Sequence, residues 1–302
     1  MKIAVTGGTG MIGRELLKTF PGSYEILVLS RQSLKDDPIQ LDLNVTHIET
    51  DYTIESLRNI LYGSEAVIHL AAQRLQKKNA DMSFRNVLID YNIFKTCESL
   101  NIRNIVFTSS CGVYGRNPNI PCSEDDQTYP ENPYSLGKCI SERTAEYFIE
   151  RGLSIKCLRL AHVLSLEARK EYMLGTFLGR ALKGESIELY GTEDQKREYI
   201  YVKDVVRGIL ATLIRPEIKG VFNFGSEEVV NIPKLAELVN RIFQNVKPII
   251  KRESDNTLQE EFSLMDSGLF YSTFDFQPNW TIKNALIDMY DSESLKRKSL
   301  IR

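Results

Sequence analysis

The sequence is poor in the residues that build covalent or metal-held frameworks. Five cysteines (Cys97, Cys111, Cys122, Cys139 and Cys157) are scattered over 302 residues as an odd set with no C-x-x-C pair. That pattern excludes a disulfide scaffold and a zinc finger, and it suits a reducing compartment. The three histidines, His47, His69 and His162, are too dispersed to argue for another metal site, so none is expected. Neither sign of charge dominates: 38 Lys and Arg face 40 Asp and Glu, for a net charge of −2. This balance gives no sign of the strongly basic character that nucleic acids or anionic membranes would favour. No apolar run reaches the roughly 20 residues that span a bilayer, and "MKIAVTGG" reads as a strand rather than a secretory leader. The expectation is a cytoplasmic protein with no nucleic-acid or membrane partner.

What is present is an alternation of two patterns. Short apolar runs at 2–7, 25–30, 66–72, 104–110 and 155–163 are bounded by turn residues and read as buried strands, with a further short one within 44–52. Helical periodicity fills the intervals at 11–20, 53–62, 83–100 and 134–151. Strand–helix–strand order with nearly continuous apolar strands predicts an α/β fold: a doubly wound parallel sheet covered on both faces. After about residue 163 the rhythm breaks into a helix at 172–183, a strand at 186–190, the run 197–214, "GVFNFG" at 220–225 and a helix at 232–243. The expected division is a dinucleotide-binding domain over 1–163, to which part of 197–225 returns, and a smaller mixed α/β lobe over 164–302. The final "LKRKSLIR" reads as a frayed basic end.

The most informative turn is "AVTGGTGMIGRELL", which sets Gly7, Gly10 and Gly13 three residues apart, directly after a strand and opening a helix. Such a turn needs glycine for its tightness, for close approach of backbone to a phosphate and for close helix–strand packing, and it aims a helix N-terminus at the pyrophosphate. A lone glycine triplet also arises structurally, but its place after the first strand of an alternating chain points to a dinucleotide.

A second stretch, "NPYSLGK", sets Tyr134 four residues before Lys138. Asn132 suits an N-cap and Pro133 a first helical position, so the phenol and the ammonium fall on one face at the start of a helix. Alone, the pair could be an amphipathic couple on a solvated surface.

Taken together these stretches are similar to the extended short-chain dehydrogenase/reductase family of nucleotide-sugar epimerases, dehydratases and reductases. The resemblance runs through "TGGTGMIG", "DYT" (51–53), "VIHLAAQ" (67–73), "FRNV" (84–87), "FTSSCGVYG" (107–115), "PYSLGK" (133–138), "LRLAHV" (158–163) and "REYIYVKDV" (197–205) in the family's order. It implies a Rossmann fold and a hydride-transfer site. Tyr134 would exchange a proton with the sugar hydroxyl that becomes a ketone. Lys138 would stabilise negative charge on the tyrosine and bind the nicotinamide ribose, and Ser110 would orient the reacting oxygen with Ser109 as support. Cofactor contacts are implied for Gly7, Gly10, Met11, Ile12 and Gly13 in the glycine turn. Others follow at Asp51 and Tyr52 beside the adenine, Leu70, Ala71 and Ala72 beneath the ribose, and Asn86 as a support. Arg197 matches the arginine used against a substrate diphosphate, and a planar bidentate donor suits that task; its other reading is a surface charge beside Lys196. Tyr190 matches a position that stacks the nucleotide base, or it is a core aromatic.

Three departures narrow the reaction. Family dehydratases place an acidic pair after the catalytic hydroxyl, where this chain has Cys111 and Gly112, so dehydration is disfavoured and Cys111 reads as a small packed residue. His162 stands where many sugar epimerases carry asparagine; it could donate to a phosphate or hydroxyl, or be structural. The second strand ends in Ser30-Arg31 instead of an acid, and an arginine there accommodates a 2′-phosphate, which leaves NADP open beside NAD. The first reading is a UDP-sugar 4-epimerase working through a 4-keto intermediate, which would retain NAD. The second is an NADPH-dependent reductase of a keto sugar nucleotide, and the third a non-catalytic dinucleotide-binding protein. The resemblance also implies a homodimer formed through the helices at 83–100 and 134–151.

Overall fold

The computed structural model describes residues 1–31, 44–73, 80–115, 119–168, 170, 172–190, 196–252 and 264–300. In the first half, the strands are β1 (Lys2–Thr6), β2 (Glu25–Ser30), β3 (Val45–Glu49), β4 (Ala66–His69), β5 (Asn104–Ser110) and β6 (Ser154–Leu160). They are joined by the helices α1 (Met11–Thr19), α2 (Ile54–Leu61), α3 (Ala80–Leu100) and α4 (Pro133–Glu150). Further strands are β7 (His162–Leu164), β8 (Ile187–Tyr190), β9 (Lys196–Tyr201), β10 (Gly220–Phe224), β11 (Val229–Asn231) and β12 (Ile249–Arg252). The later helices are α5 (Met173–Lys183), α6 (Val202–Leu213), α7 (Ile232–Ile242), α8 (Gly268–Phe274) and α9 (Ile282–Leu300).

Seven strands form one parallel sheet in the order β10-β6-β5-β4-β1-β2-β3. Every residue of β4, β5 and β6 is buried, which explains why they read as continuous apolar runs: both faces of the sheet are covered. Alternate side chains enter two different cores. Ile3, Val5, Ile68 and Val106 pack with Leu16 of α1 and Val205 and Ile209 of α6. Ala4, Val67, Ile105 and Phe107 pack on the other face with Leu57, Ile93, Phe94 and Phe148 from α2, α3 and α4.

Three later strands make a small sheet in the order β11-β9-β7, and β8 pairs with β12 in another. These enclose a third core built on α5, α7 and α9, with Phe177, Leu235, Leu286 and Met289. The run 155–163, expected as one strand, is two. Ala161 N–H still donates to Phe224 O at 3.1 Å, but the chain then leaves the central sheet and β7 pairs with β9, His162 opposite Tyr199. Both segments are apolar, so hydrophobicity alone could not mark where the sheets part. β11, β12, α8 and α9 were not anticipated, and α9 continues through Leu300 into the stretch expected to fray.

Among the described residues, no helix is long and apolar enough to cross a membrane. No group of three or more His, Cys, Asp or Glu among them is placed to hold a metal. All five cysteines are free thiols.

Candidate active site

β1 lies beside β4 at the point where the strand order reverses, and a ligand crevice opens at the carboxyl ends of strands around such a point. A cavity of about 480 Å³ occupies it, walled by the glycine turn, the end of β5, the start of α4, β7 and β9.

The glycine turn is a backbone cradle. Gly7 has φ +71°, and a Cβ there would sit 2.8 Å from Ala71 N; a Cβ on Gly13 would lie 2.4 Å from Gly7 O. Gly10 N–H closes the turn on Gly7 O at 2.9 Å. No side chain caps α1 at Gly10, so the N–H groups of its first turn, which have no intrahelical partners, are left to the cavity that Gly10, Met11, Ile12 and Gly13 line. The bare backbone and the positive end of the helix dipole fit the diphosphate of a dinucleotide.

The neighbouring wall follows β4. Leu70 and Ala72 line the cavity, while Ala71 N–H is held by Thr6 Oγ1 at 3.1 Å. Asn86 clamps the next residue: its Oδ1 accepts Gln73 N–H and its Nδ2 donates to Gln73 O, both at 2.9 Å. Gln73 Oε1 in turn accepts from exposed Arg31 Nη1 at 3.2 Å. Ser30 is buried and shares a 2.8 Å hydrogen bond with His47 Nε2.

Asp51 is exposed and accepts Thr53 N–H and Oγ1–H at 2.9 and 2.8 Å, ahead of α2. Tyr52, with φ +62°, turns inward: its phenol donates to Leu29 O at 3.0 Å and its ring joins the core. Its side chain supports the end of β2 and does not line the cavity.

Tyr134, Ser109 and Ser110 line the cavity together. Asn132 caps α4, accepting Ser135 N–H at 2.9 Å, with Pro133 in the first turn. A Cβ on Gly112 would meet Ser135 Oγ at 2.6 Å, so the turn after β5 presses directly on the start of α4. Lys138 is 3% exposed. Its Nζ donates to Thr108 O at 2.8 Å and stands 4.4 Å over the Phe107 ring and 6.0 Å from the centre of the Tyr134 ring. Ser109 donates to Glu142 Oε1, and Glu142 is ion-paired with Arg159 at 2.8 Å, both buried. Arg159 Nη1 donates at 2.7 Å to the phenol of Tyr114, which donates to Asn223 Oδ1 at 2.6 Å. Burial raises the Tyr114 phenol, with Arg159 pulling the other way.

At the far wall His162, Arg197 and Tyr199 line the cavity, His162 standing opposite Tyr199 across the β7–β9 ladder. The His162 and Tyr199 rings are 5.6 Å apart. Burial pushes the Tyr199 phenol up to about 12, against the charge and hydrogen bond of Arg197. Tyr190 lies elsewhere: it is 59% exposed, bonded to Glu188 at 2.9 Å, and not among the lining residues.

The sequence alone did not single out two further sets. Arg14, Glu167 and Tyr172 also line the cavity; Arg14 is signalled by its place one residue after the last glycine. Behind Lys138, His69, Asp90 and Ser141 form a buried polar cluster. A histidine and an aspartate inside otherwise apolar runs were its only trace.

Residues 3–225 match the NAD-dependent epimerase/dehydratase family. The chain is 31% identical over 255 residues to the dTDP-4-dehydro-6-deoxyglucose reductase of Escherichia coli, covering 78% of this chain and 80% of that one. It resembles the crystal structure of UDP-N-acetylglucosamine 4-epimerase from Bacillus cereus at a TM-score of 0.86 and 28% identity, over 98% and 96% of the two chains. The Bacillus cereus UDP-glucuronic acid 4-epimerase, solved with NAD, shares the fold at a TM-score of 0.86 and 20% identity, over 98% and 99%. With its glycine cradle, its parallel sheet and three quarters of its length in register, the chain belongs to the NAD-dependent epimerase/dehydratase family.

Proposed function

We propose that the protein is a 4-epimerase of a nucleotide-diphospho-sugar, UDP-linked by analogy with the 4-epimerase it resembles. One observation carries the reading: Tyr134 and Ser110 line the same cavity as the glycine cradle, with Lys138 directly behind them. When bound, the nicotinamide supplies the acceptor and donor of hydride at the sugar carbon.

The chain's own residues do the rest. Ser110 orients the C4 oxygen by hydrogen bonding. Tyr134 Oη takes the hydroxyl proton as the 4-keto sugar forms and returns it afterwards, with Lys138 stabilising the negative charge on Tyr134 in between. Lys138 also binds the ribose. Gly7, Gly10, Met11, Ile12 and Gly13 hold the cofactor diphosphate. Arg197 takes the substrate diphosphate as a bidentate donor, and His162 beside it donates to a phosphate or hydroxyl. No acid follows Ser110, which supports epimerisation over water loss.

A second reading, an NADPH-dependent 4-keto-sugar reductase, is favoured by Ser30 and Arg31 at the end of β2 and by the similarity to a reductase. Denaturing the purified protein and identifying the released nucleotide separates the two. Stoichiometric NAD with no net change in cofactor redox state during turnover supports the epimerase; an empty protein that consumes NADPH supports the reductase. In either case Tyr134→Phe should cut turnover at least about 100-fold with cofactor affinity retained. Full activity in that variant would discard the mechanism.

The same reading extends to a homodimer. Phe84, Leu88 and Tyr91 stand exposed at helical spacing on α3, beside exposed Leu136 and Tyr147 on α4, a stripe that a second copy would cover. Sedimentation velocity tests it, and a monomer at micromolar concentration would refute it.

A further inference from the structure

Asp90, on α3, is 1% exposed and has no route to solvent of its own. Its Oδ1 accepts from His69 Nε2 at 2.7 Å and its Oδ2 from Ser141 Oγ at 2.6 Å. An ionised carboxylate only accepts, which makes the histidine the donor. At the other ring nitrogen, His69 Nδ1 shares a 2.6 Å hydrogen bond with Thr6 Oγ1, which also accepts Ala71 N–H at 3.1 Å. The Nε2–H of His69 is spent on Asp90.

The groups that face Asp90 are few. From β4 comes His69; from α4 come Ser141 and, three residues earlier, Lys138; from β1 comes Thr6, through His69. Glu55 and Arg58 of α2, the other helix packed on α3, are exposed. Lys138 is buried one helical turn before Ser141, and its Nζ, held by Thr108 O, is shielded from water. A second route ties the two together: Thr108 Oγ1 donates to His69 O at 3.3 Å.

We propose that Asp90 is a positioning residue of the active site: its carboxylate keeps Lys138 an ammonium in a buried place, so that Tyr134 always has its cation. The inference rests on the reading of Tyr134 and Lys138 given above. An isolated ammonium removed from water tends to shed its proton, and a carboxylate nearby opposes that loss. Electrostatics on the acid agree. Burial pushes the Asp90 carboxyl up, but the charge of Lys138, the hydrogen bond and charge of His69 and the hydrogen bond from Ser141 outweigh it and hold it below its ordinary value.

The test is Asp90→Asn, which keeps shape and removes charge, beside Ser141→Ala, which removes one hydrogen bond and keeps charge. Lysine side chains labelled with nitrogen-15 give a direct readout, the Lys138 ammonium signal being assigned by its loss in Lys138→Met. In Asp90→Asn that signal should vanish about one pH unit lower than in the parent protein, the usual effect of losing a neighbouring opposite charge. The alkaline limb of the kcat profile should move down with it. In Ser141→Ala both should stay in place, whatever the change in amplitude. A lysine titration unchanged by Asp90→Asn overturns the proposal, as does an equal shift in Ser141→Ala. If the lysine signal moves as expected while neither parent nor variant turns over any nucleotide sugar, the hydride-transfer reading fails and the charge pairing stands.

Discussion

Strand β6 carries two buried cations, Lys156 near its amino end and Arg159 near its carboxyl end. Three residues apart, they point to opposite faces of the central sheet and meet different environments. Arg159 lies against Glu142 at 2.8 Å and reaches Tyr114, and Ser109 fills another acceptor of the same acid. Lys156, wholly buried, rests on the neutral amide of Asn104 at 2.5 Å, and Asn104 spends its own donor on Leu213 O at 2.8 Å. The acid that acts on it, Glu217, is 60% exposed and paired with Arg215. At the carboxyl end, where the cavity lies, Arg159 is matched by the buried acid Glu142. At the amino end a buried cation is left almost alone, and burial brings its pKa down to about 8. Two cations on one strand thus differ in whether a buried acid holds their charge in place.

The largest test breaks the paired end. Arg159→Met leaves Glu142 buried without its cation and should cost about 3–5 kcal/mol of stability, read as a fall in the urea midpoint. Adding Glu142→Leu should recover much of that loss, because two apolar groups replace two charges. A single-variant loss below about 1 kcal/mol would mean that the pair behaves like a surface bridge.

Lys156→Met tests the unpaired end and should go the other way. Below about pH 8 the lysine is protonated both folded and unfolded, and the folded state bears the full cost of burying the cation. Between about 8 and the ordinary 10.5 the folded state sheds that proton while the unfolded chain keeps it, so stability rises with pH. At pH 7 the substitution should gain about 2 kcal/mol, roughly 3 from the avoided cost less about 1 for the hydrogen bond to Asn104. That gain should fade toward pH 10.5. A destabilised variant, or a gain independent of pH, would show that Lys156 is held as a cation after all.

Much of this contrast was hidden in the sequence. The strands of the parallel sheet and the glycine turn were readable because burial on both faces leaves uninterrupted apolar runs and because a tight turn demands glycine. The cap at Asn132 and the Tyr134–Lys138 spacing were readable for the same local reason. Which neighbours a residue such as Lys156 or Asp90 meets depends on strands and helices arriving from 50 or more residues away, and no window along the chain contains that. Tyr52 shows the limit from the other side: its position in "DYT" suggested a ligand contact, while a positive φ sends the ring into the core. α9 was missed although Ile282, Ala285, Leu286 and Met289 are buried at helical spacing, because a polar stretch precedes it and the helix ends in charge.

A third cation sharpens the comparison with the smallest effect. Arg31 stands at the carboxyl end of β2, exposed, its guanidinium on Gln73. An exposed cation contributes little to folding, so Arg31→Ala should change stability by no more than about 0.5 kcal/mol, unlike either residue on β6. Its effect should fall on ligand choice instead. If the guanidinium meets a 2′-phosphate, the substitution should weaken NADPH about tenfold, the loss of one charge-assisted hydrogen bond of about 1.5 kcal/mol, and leave NADH nearly untouched. Titration calorimetry with each cofactor decides it. Equal losses for the two cofactors would remove the argument for NADP, and with it the main support for the reductase reading over the epimerase.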